Sequence, residues 1–252
     1  MFGKNFVITD DNAIEYVKKI GDFISSMVVG ANRNGVVLGM SGGIDCSVAA
    51  RLAQESGVGI RLYLMPDGED MARSKSLEDA MKLIDKFNLE YKIINIKSVC
   101  DAVENAIAEP ISDISRINIR PRVRMTTLYT IGQNSGRFVM GTGNLAERAL
   151  GYFTKWGDGA SDLNPLGMLT KSEVRVLASK LGVPHEIIDK PPSAGLFEGQ
   201  TDEKDLGFTY SQIDEYILNG TCGNTEIDKK LIDRINMSAH KLNPIPIYGA
   251  FS

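Results

Sequence analysis

Residues Gly39-Met40-Ser41-Gly42-Gly43-Ile44-Asp45-Cys46-Ser47 place three glycines, two serines, a carboxylate and a thiol within nine positions. Glycines let an anion approach the backbone, serine hydroxyls donate further hydrogen bonds, and backbone N–H groups at a helix start point outward. The chemistry such a stretch suggests is phosphate binding. It matches neither G-x-G-x-x-G nor G-x-x-x-x-G-K-[ST], which sets aside ordinary dinucleotide-fingerprint and Walker-type sites. A glycine turn that only reverses the chain is the competing reading of a lone Ser-Gly-Gly.

An anion loop of this kind needs a strand before it and a helix after it. Gly35-Val36-Val37-Leu38-Gly39 is a short apolar run, and Val48 and Leu52 continue a helical pattern beyond the loop. The alternation recurs, with strands predicted at 58–65, 91–96 and 137–141 and helices at 74–87, 98–109 and from Pro121 to 131. Nearly all-apolar strands separated by helices predict an α/β fold whose parallel sheet is covered on both faces. Ile14, Val17, Ile24 and Val28 mark a first amphipathic helix ending near Gly35. Further on, 151–165 reads as a loop rich in glycine and aspartate. Thr170-Lys171-Ser172-Glu173 reads as a capping box that opens a helix to Leu181. Residues 190–205 read as a long loop, and 211–218 and 225–242 as helices.

Composition narrows the function classes. The chain has 252 residues, 43% of them hydrophobic, and 28 Lys+Arg against 32 Asp+Glu give a net charge of −4. That balance disfavours a protein devoted to gripping a phosphate backbone over a large surface. Cys46, Cys100 and Cys222 are far apart with no C-x-x-C spacing, so neither a zinc site nor a disulfide framework is expected and a reducing cytoplasm fits. No leader pattern opens the chain, and the longest charge-free stretch, Met125 to Gly136, is shorter than the roughly 20 residues of a membrane span. No linker divides the sequence, so one domain over 1–252 is expected.

Ser41-Gly42-Gly43-Ile44-Asp45-Cys46 resembles the S-G-G-x-D-S pyrophosphate loop of ATP pyrophosphatases, which cleave ATP to AMP and pyrophosphate while adenylating a substrate. Cys46 stands where that pattern has serine, and a thiol is the weaker hydrogen-bond donor; the side chain of Ser47 should point elsewhere on the helix. Three further blocks resemble the ammonia-dependent NAD synthetase family. They are Arg122-Val123-Arg124-Met125, then Gly141-Thr142-Gly143-Asn144-Leu145-Ala146-Glu147 continuing through Gly151 to Gly159 and on to Asp162, Pro165 and Leu166, and finally His240-Lys241. The likeness runs on through Thr201 to Gly207 and covers the chain from about Asn34.

The resemblance implies a Rossmann-like doubly wound parallel sheet of the adenine-nucleotide alpha-hydrolase type with additional C-terminal helices. One NAD synthetase domain would hold the pyrophosphate loop (39–47), dinucleotide and ATP segments (122–171), a flexible loop (190–207) and C-terminal helices (211–242). It implies that Gly39, Met40, Ser41, Gly42, Gly43, Ile44, Asp45, Cys46, Thr142, Lys171 and Ser193 contact ATP. Arg122, Lys155, Asp162, His240 and Lys241 would hold deamido-NAD, Asp45 and Glu147 would bind Mg2+, and Asp45 and Lys171 would be catalytic. The implied reaction is ATP-dependent amidation of deamido-NAD to NAD by free ammonia, through an adenylated intermediate that releases AMP and pyrophosphate. Glutamine-dependent relatives carry an added amidase domain, for which 252 residues leave no room. A homodimer with the dinucleotide site at the subunit interface is also implied.

Two departures stand out. Ser193-Ala194-Gly195 replaces a common Thr-Ala-Asp, and 67–73 lacks the glutamine-containing loop expected near adenine. A tRNA-modifying ATP pyrophosphatase would share the loop but usually carries extra cysteines or a basic domain. A non-catalytic ATP-binding module is the other alternative, kept open by Cys46 and Gly195. Arg116, Arg120, Arg122 and Arg124 could be read as an RNA patch, but no aromatic residues interleave with them. His185 reads as a surface residue at a helix start.

Overall fold

The computed structural model describes residues 4–68, 74–192 and 201–248. Strand β1 (Val36–Gly39) pairs in parallel with β2 (Ile60–Leu64) on one side and with β4 (Phe138–Val139) on the other, and β3 (Tyr91–Ile93) lies beyond β2. The order β3-β2-β1-β4 means that the chain winds outward to β3 and then returns past β1. The reversal point therefore falls between β1 and β4, where open α/β sheets bind ligands at the carboxyl ends of their strands.

Side chains alternate across a strand. Val36 and Leu38 enter one apolar cluster with Ile24 of α1 (Ala13–Gly30), Val48 and Leu52 of α2 (Ile44–Glu55), and Leu83 of α3 (Lys75–Phe87). Val37 faces the opposite way, into a cluster with Tyr63, Val139, Cys100 of α4 (Lys97–Ala106), and Val123 and Leu128 of α5 (Asp113–Ser135). Both faces of β1 are covered, as the apolar strands predict, whereas Tyr91, Lys92 and Ile93 of the edge strand β3 are exposed; each fully buried Val or Leu contributes about 1.5–3 kcal/mol.

The elements differ from the predicted ones mainly at their ends. Helix α1 stops at Gly30 because Asn32 turns to φ 52 and the Arg33 N–H donates back to the Val28 carbonyl at 2.9 Å. Helix α5 starts eight residues before Pro121, capped by Ser112, whose Oγ accepts from the Ser115 N–H at 3.2 Å. The proline sits inside the helix, and packing of Val123 and Leu128 against the sheet outweighs its local penalty. Part of the predicted 190–205 loop is helical: after α6 (Leu145–Leu150), α7 (Lys171–Lys180) and α8 (His185–Ile188) comes α9 (Asp202–Leu206). The C-terminal helices are α10 (Tyr210–Asn219) and α11 (Thr225–Ser238), the latter followed by a 3-10 turn (Ala239–Lys241) instead of running to 242. They pack through Tyr210, Ile213 and Leu231 against Ala146 and Leu150 of α6, behind the reversal point. Among the described residues no helix is long and apolar enough to cross a membrane.

Candidate active site

The segment after β1 rises tightly against the neighbouring strand, with the Met40 N–H donating to the Tyr63 carbonyl at 2.9 Å. Gly42 has φ +80, and a Cβ there would lie 1.8 Å from the Ser76 carbonyl oxygen, so only glycine lets the loop cross the first turn of α3. Gly43 is the N-cap of α2 and brings no side chain to its first-turn donors. A helix start left open in this way is suited to an anion. Cys46 Sγ donates to the Gly43 carbonyl at 3.1 Å and lies 3.3 Å from Ser41 Oγ. Ser47 Oγ donates to the same carbonyl at 2.8 Å, turned into its own helix as expected.

The chain after β4 brings the second half of the site. Asn144 caps α6 through a reciprocal box: its Oδ1 accepts from the Glu147 N–H at 3.0 Å, and Glu147 Oε2 accepts from the Asn144 N–H at 3.1 Å. Its remaining amide donates across the reversal point to Asp45 Oδ1 at 3.0 Å. Lys171, the first residue of α7 and 1% exposed, reaches Asp45 Oδ2 at 2.6 Å and Glu147 Oε1 at 3.7 Å. Asp45, expected within the 39–47 loop, thus lies in the first turn of α2, and Glu147 in the first turn of α6.

Burial opposes the charge on Lys171, but Asp45, then Glu147 and the hydrogen bond to Asp45, more than offset it, so the ammonium is held above its usual range. Burial, then the neighbouring Asp45, pushes Glu147 up to about 8 against the pull of Lys171. Two hard carboxylates gathered around one cation, with side chains 17% and 20% exposed, fit Mg2+, which takes one or two carboxylates and keeps waters or phosphate oxygens as its other ligands.

Three residues that the sequence reading left without a role complete the cluster. Asp214 of α10 accepts from the Lys171 N–H at 3.2 Å, and from the Ser172 N–H and Oγ at 2.9 and 2.7 Å. The ring of Tyr210 lies 4.9 Å from Lys171 Nζ, and its hydroxyl donates to Asp202 at 2.9 Å. Tyr210 and Asp214 stand one turn apart on α10, a spacing that marks a shared face. That spacing was the available signal, although nothing in it names Lys171 as the partner.

A separate group forms where 151–159 meets the C-terminal turn. Lys155 Nζ donates to the His240 carbonyl at 2.7 Å, and Lys241 Nζ donates to the Gly151 and Phe153 carbonyls at 2.6 and 2.7 Å. Trp156, 56% exposed and at φ 61, stands at the tip of this loop. Helix α5 lies against the loop, with Thr154 Oγ1 donating to Asn118 Oδ1 at 2.6 Å, and Arg122 is exposed on that helix. Asp162 closes the base: its Oδ2 accepts from the Val139 N–H at 2.7 Å, its own N–H donates to the Val139 carbonyl at 2.8 Å, and Met140 bridges Leu163. Thr142, half-buried, follows β4 at the reversal point. Ser193 and Gly195 lie outside the described residues, as do 69–73.

The arginines of the RNA reading are mostly engaged internally. Arg116 pairs with Glu104 and Asp113, Arg120 with Asp67, and Arg124 Nε donates to the Met65 carbonyl. His185 is exposed at the start of α8, as expected.

The family model described as NAD synthase matches residues 16–246. The chain belongs to the NAD synthase family. It is 41% identical over 221 residues to a protein of Carboxydothermus hydrogenoformans named NH(3)-dependent NAD(+) synthetase, covering 84% of this chain and 88% of that one. It superimposes on the NMN synthetase from Francisella tularensis with a TM-score of 0.89 at 34% identity, covering 98% of this chain and 100% of that one. The NH3-dependent NAD synthetase from Campylobacter jejuni, solved with a nitrate ion, gives a TM-score of 0.77 at 33% identity over 93% of this chain and 98% of that one. The expected fold is thereby borne out: these NAD synthase structures share the doubly wound parallel sheet.

Proposed function

We propose that this member of the NAD synthase family amidates deamido-NAD to NAD with free ammonia at the expense of ATP. The observation that carries the reading is the meeting of Asp45, Glu147 and Lys171 beside the uncapped start of α2, at the reversal point of the sheet. A carboxylate is a poor electrophile, so the nicotinate oxygen first attacks the α-phosphorus of ATP as the bond to the β-phosphate breaks. Ammonia then attacks the acyl carbon, AMP leaves and the nitrogen loses a proton. Negative charge grows on the departing pyrophosphate, and the N–H groups after Gly42 and the ammonium of Lys171 would receive it. Asp45 and Glu147 would hold Mg2+, which when bound supplies further neutralisation of that charge. No side chain needs to act as a covalent nucleophile, and catalysis rests on positioning.

The same proposal assigns Thr142 and Ser193 to ATP, and Arg122, Lys155, Asp162, His240 and Lys241 to the dinucleotide. It also includes a homodimer in the cytoplasm. A second reading has a specific observation behind it: the closely superimposing Francisella protein is named for NMN, which makes the acid mononucleotide a rival acceptor. Pyrophosphate release with ATP, Mg2+ and ammonium should depend on deamido-NAD and exceed that with nicotinate mononucleotide. The reverse order would replace the first reading with the second. Release without either acceptor, or none at all, would sink both. Glutamine in place of ammonium should support no turnover.

A further inference from the structure

We propose that Tyr210 and Asp214, one turn apart on α10, are positioning residues that hold Lys171 for phosphate contact, an inference that rests on the role given to Lys171 above. Both are buried, at 2% and 4% exposure. They act on the two ends of the same residue. Asp214 takes the N–H groups of Lys171 and Ser172, while the Thr170–Glu173 box uses the N–H groups of those two residues. The first turn of α7 is thereby fixed, and with it the root of the Lys171 side chain. A lysine stem is flexible, so a fixed root does not by itself fix the ammonium. The face of Tyr210, 4.9 Å from Nζ, does this together with the ion pair to Asp45 at 2.6 Å. Tyr210 is itself held at both ends: its hydroxyl donates to Asp202 and its N–H donates to Glu203 Oε1 at 2.8 Å. Helix α9 thus holds Tyr210 of α10, and α10 in turn holds both the root and the ammonium of the lysine that opens α7.

The test uses the full-length protein with Tyr210→Leu, Tyr210→Phe and Asp214→Asn, assayed for deamido-NAD-dependent pyrophosphate release. Displacing a reacting group by about 1 Å can cost on the order of 100-fold. Tyr210→Leu should therefore lower kcat by about 10- to 100-fold, while Trp156 fluorescence still reports wild-type deamido-NAD binding. Tyr210→Phe, which keeps the ring face, should rescue most of kcat, and Asp214→Asn should fall between the two. Wild-type kcat in Tyr210→Leu, equal losses in the Leu and Phe variants, or losses that disappear once corrected for the folded fraction would overturn the proposal. Should Tyr210→Leu fail to fold, NMR of the wild type decides. The Lys171 ε-CH2 protons, assigned with Lys171→Arg, should show an upfield ring-current shift that ATP reduces, and its absence counts against the idea. Wild-type protein that releases no pyrophosphate with deamido-NAD would defeat the parent reading, whereas normal wild-type release with an unaffected Tyr210→Leu would defeat this one alone.

Discussion

Asn144 joins the two halves of the site, so its replacement should disturb both. The side chain is fully buried, caps α6 through Oδ1 and donates to Asp45 through Nδ2 at 3.0 Å. Loss of an N-cap costs about 1 kcal/mol, and loss of a hydrogen bond to a charged group costs about 1.5–3 kcal/mol. Asn144→Ala should therefore destabilise by roughly 2.5–4 kcal/mol. At about 2–4 °C per kcal/mol for a chain of this size, the melting temperature should fall by about 5–15 °C. Asn144→Ser keeps a capping oxygen and should recover about 1 kcal/mol of that loss. Asn144→Asp separates the two contributions more sharply. It caps as well as asparagine, yet it sets a second carboxylate against Asp45, with a repulsion of about 5 kcal/mol at an effective dielectric of 20. Repulsion raises the pKa of the new group, so its stabilising, protonated form is present at low pH and lost as pH rises. The deficit of Asn144→Asp should shrink from about pH 8 to about pH 5, while that of Asn144→Ala should not change. Thermal melts across pH measure both. An Asn144→Ala protein melting within about 2 °C of wild type, or a pH-independent deficit in Asn144→Asp, would show that Asn144 does not carry these two bonds.

Gly42→Ala should weaken ATP binding at least tenfold in a calorimetric titration and lower the melting temperature, because φ +80 and a Cβ placed 1.8 Å from the Ser76 carbonyl force the loop off α3. Glu147, pushed up to about 8 by burial and Asp45, binds its proton more tightly folded than unfolded. That stabilisation is complete below about pH 4.5 and lost as pH rises through about 8. Magnesium-free protein should accordingly lose thermal stability over that window. Glu147→Gln should flatten the slope, and an unchanged slope in that variant would remove Glu147 as its source.

How far the sequence foretold this site depends on the range over which each residue acts. The Ser41-to-Cys46 stretch was legible because a strand, a glycine turn and a helix start are neighbours in the chain, and their backbone donors need no distant help. Thr170 and Glu173 were legible as a cap for the same reason. Asp45, Glu147 and Lys171 are separated by about a hundred residues or more in sequence between the first and the other two, and family resemblance, not spacing, grouped them. Their attachment to helix first turns instead of loops became visible only when α2 and α6 had boundaries. Asp214 and Tyr210 were missed because a helix face at i, i+4 reads as ordinary core until its neighbour is known. Pro121 misled the reading of α5, since local propensity marks a proline as a boundary and the sheet contacts of Val123 and Leu128 are not local.

The excursion from Gly141 to Leu163 leaves and re-enters the sheet at one place, closed by the hydrogen bond from the Gly141 N–H to the Leu163 carbonyl at 2.8 Å and by the Asp162 clasp on Val139. Loop-closure entropy grows so slowly that doubling a segment's length costs only about 0.6 kcal/mol. Residues 152–161 therefore form an arm on a fixed base, held further by Thr154 on Asn118 and by Lys155 on the His240 carbonyl. A change at the tip of the arm would leave the contacts among Asn144, Asp45 and Lys171, the proposed seat of the phosphates, where they are. On the proposed reaction, acceptor choice and adenylation chemistry would in this sense be separable parts of one short chain.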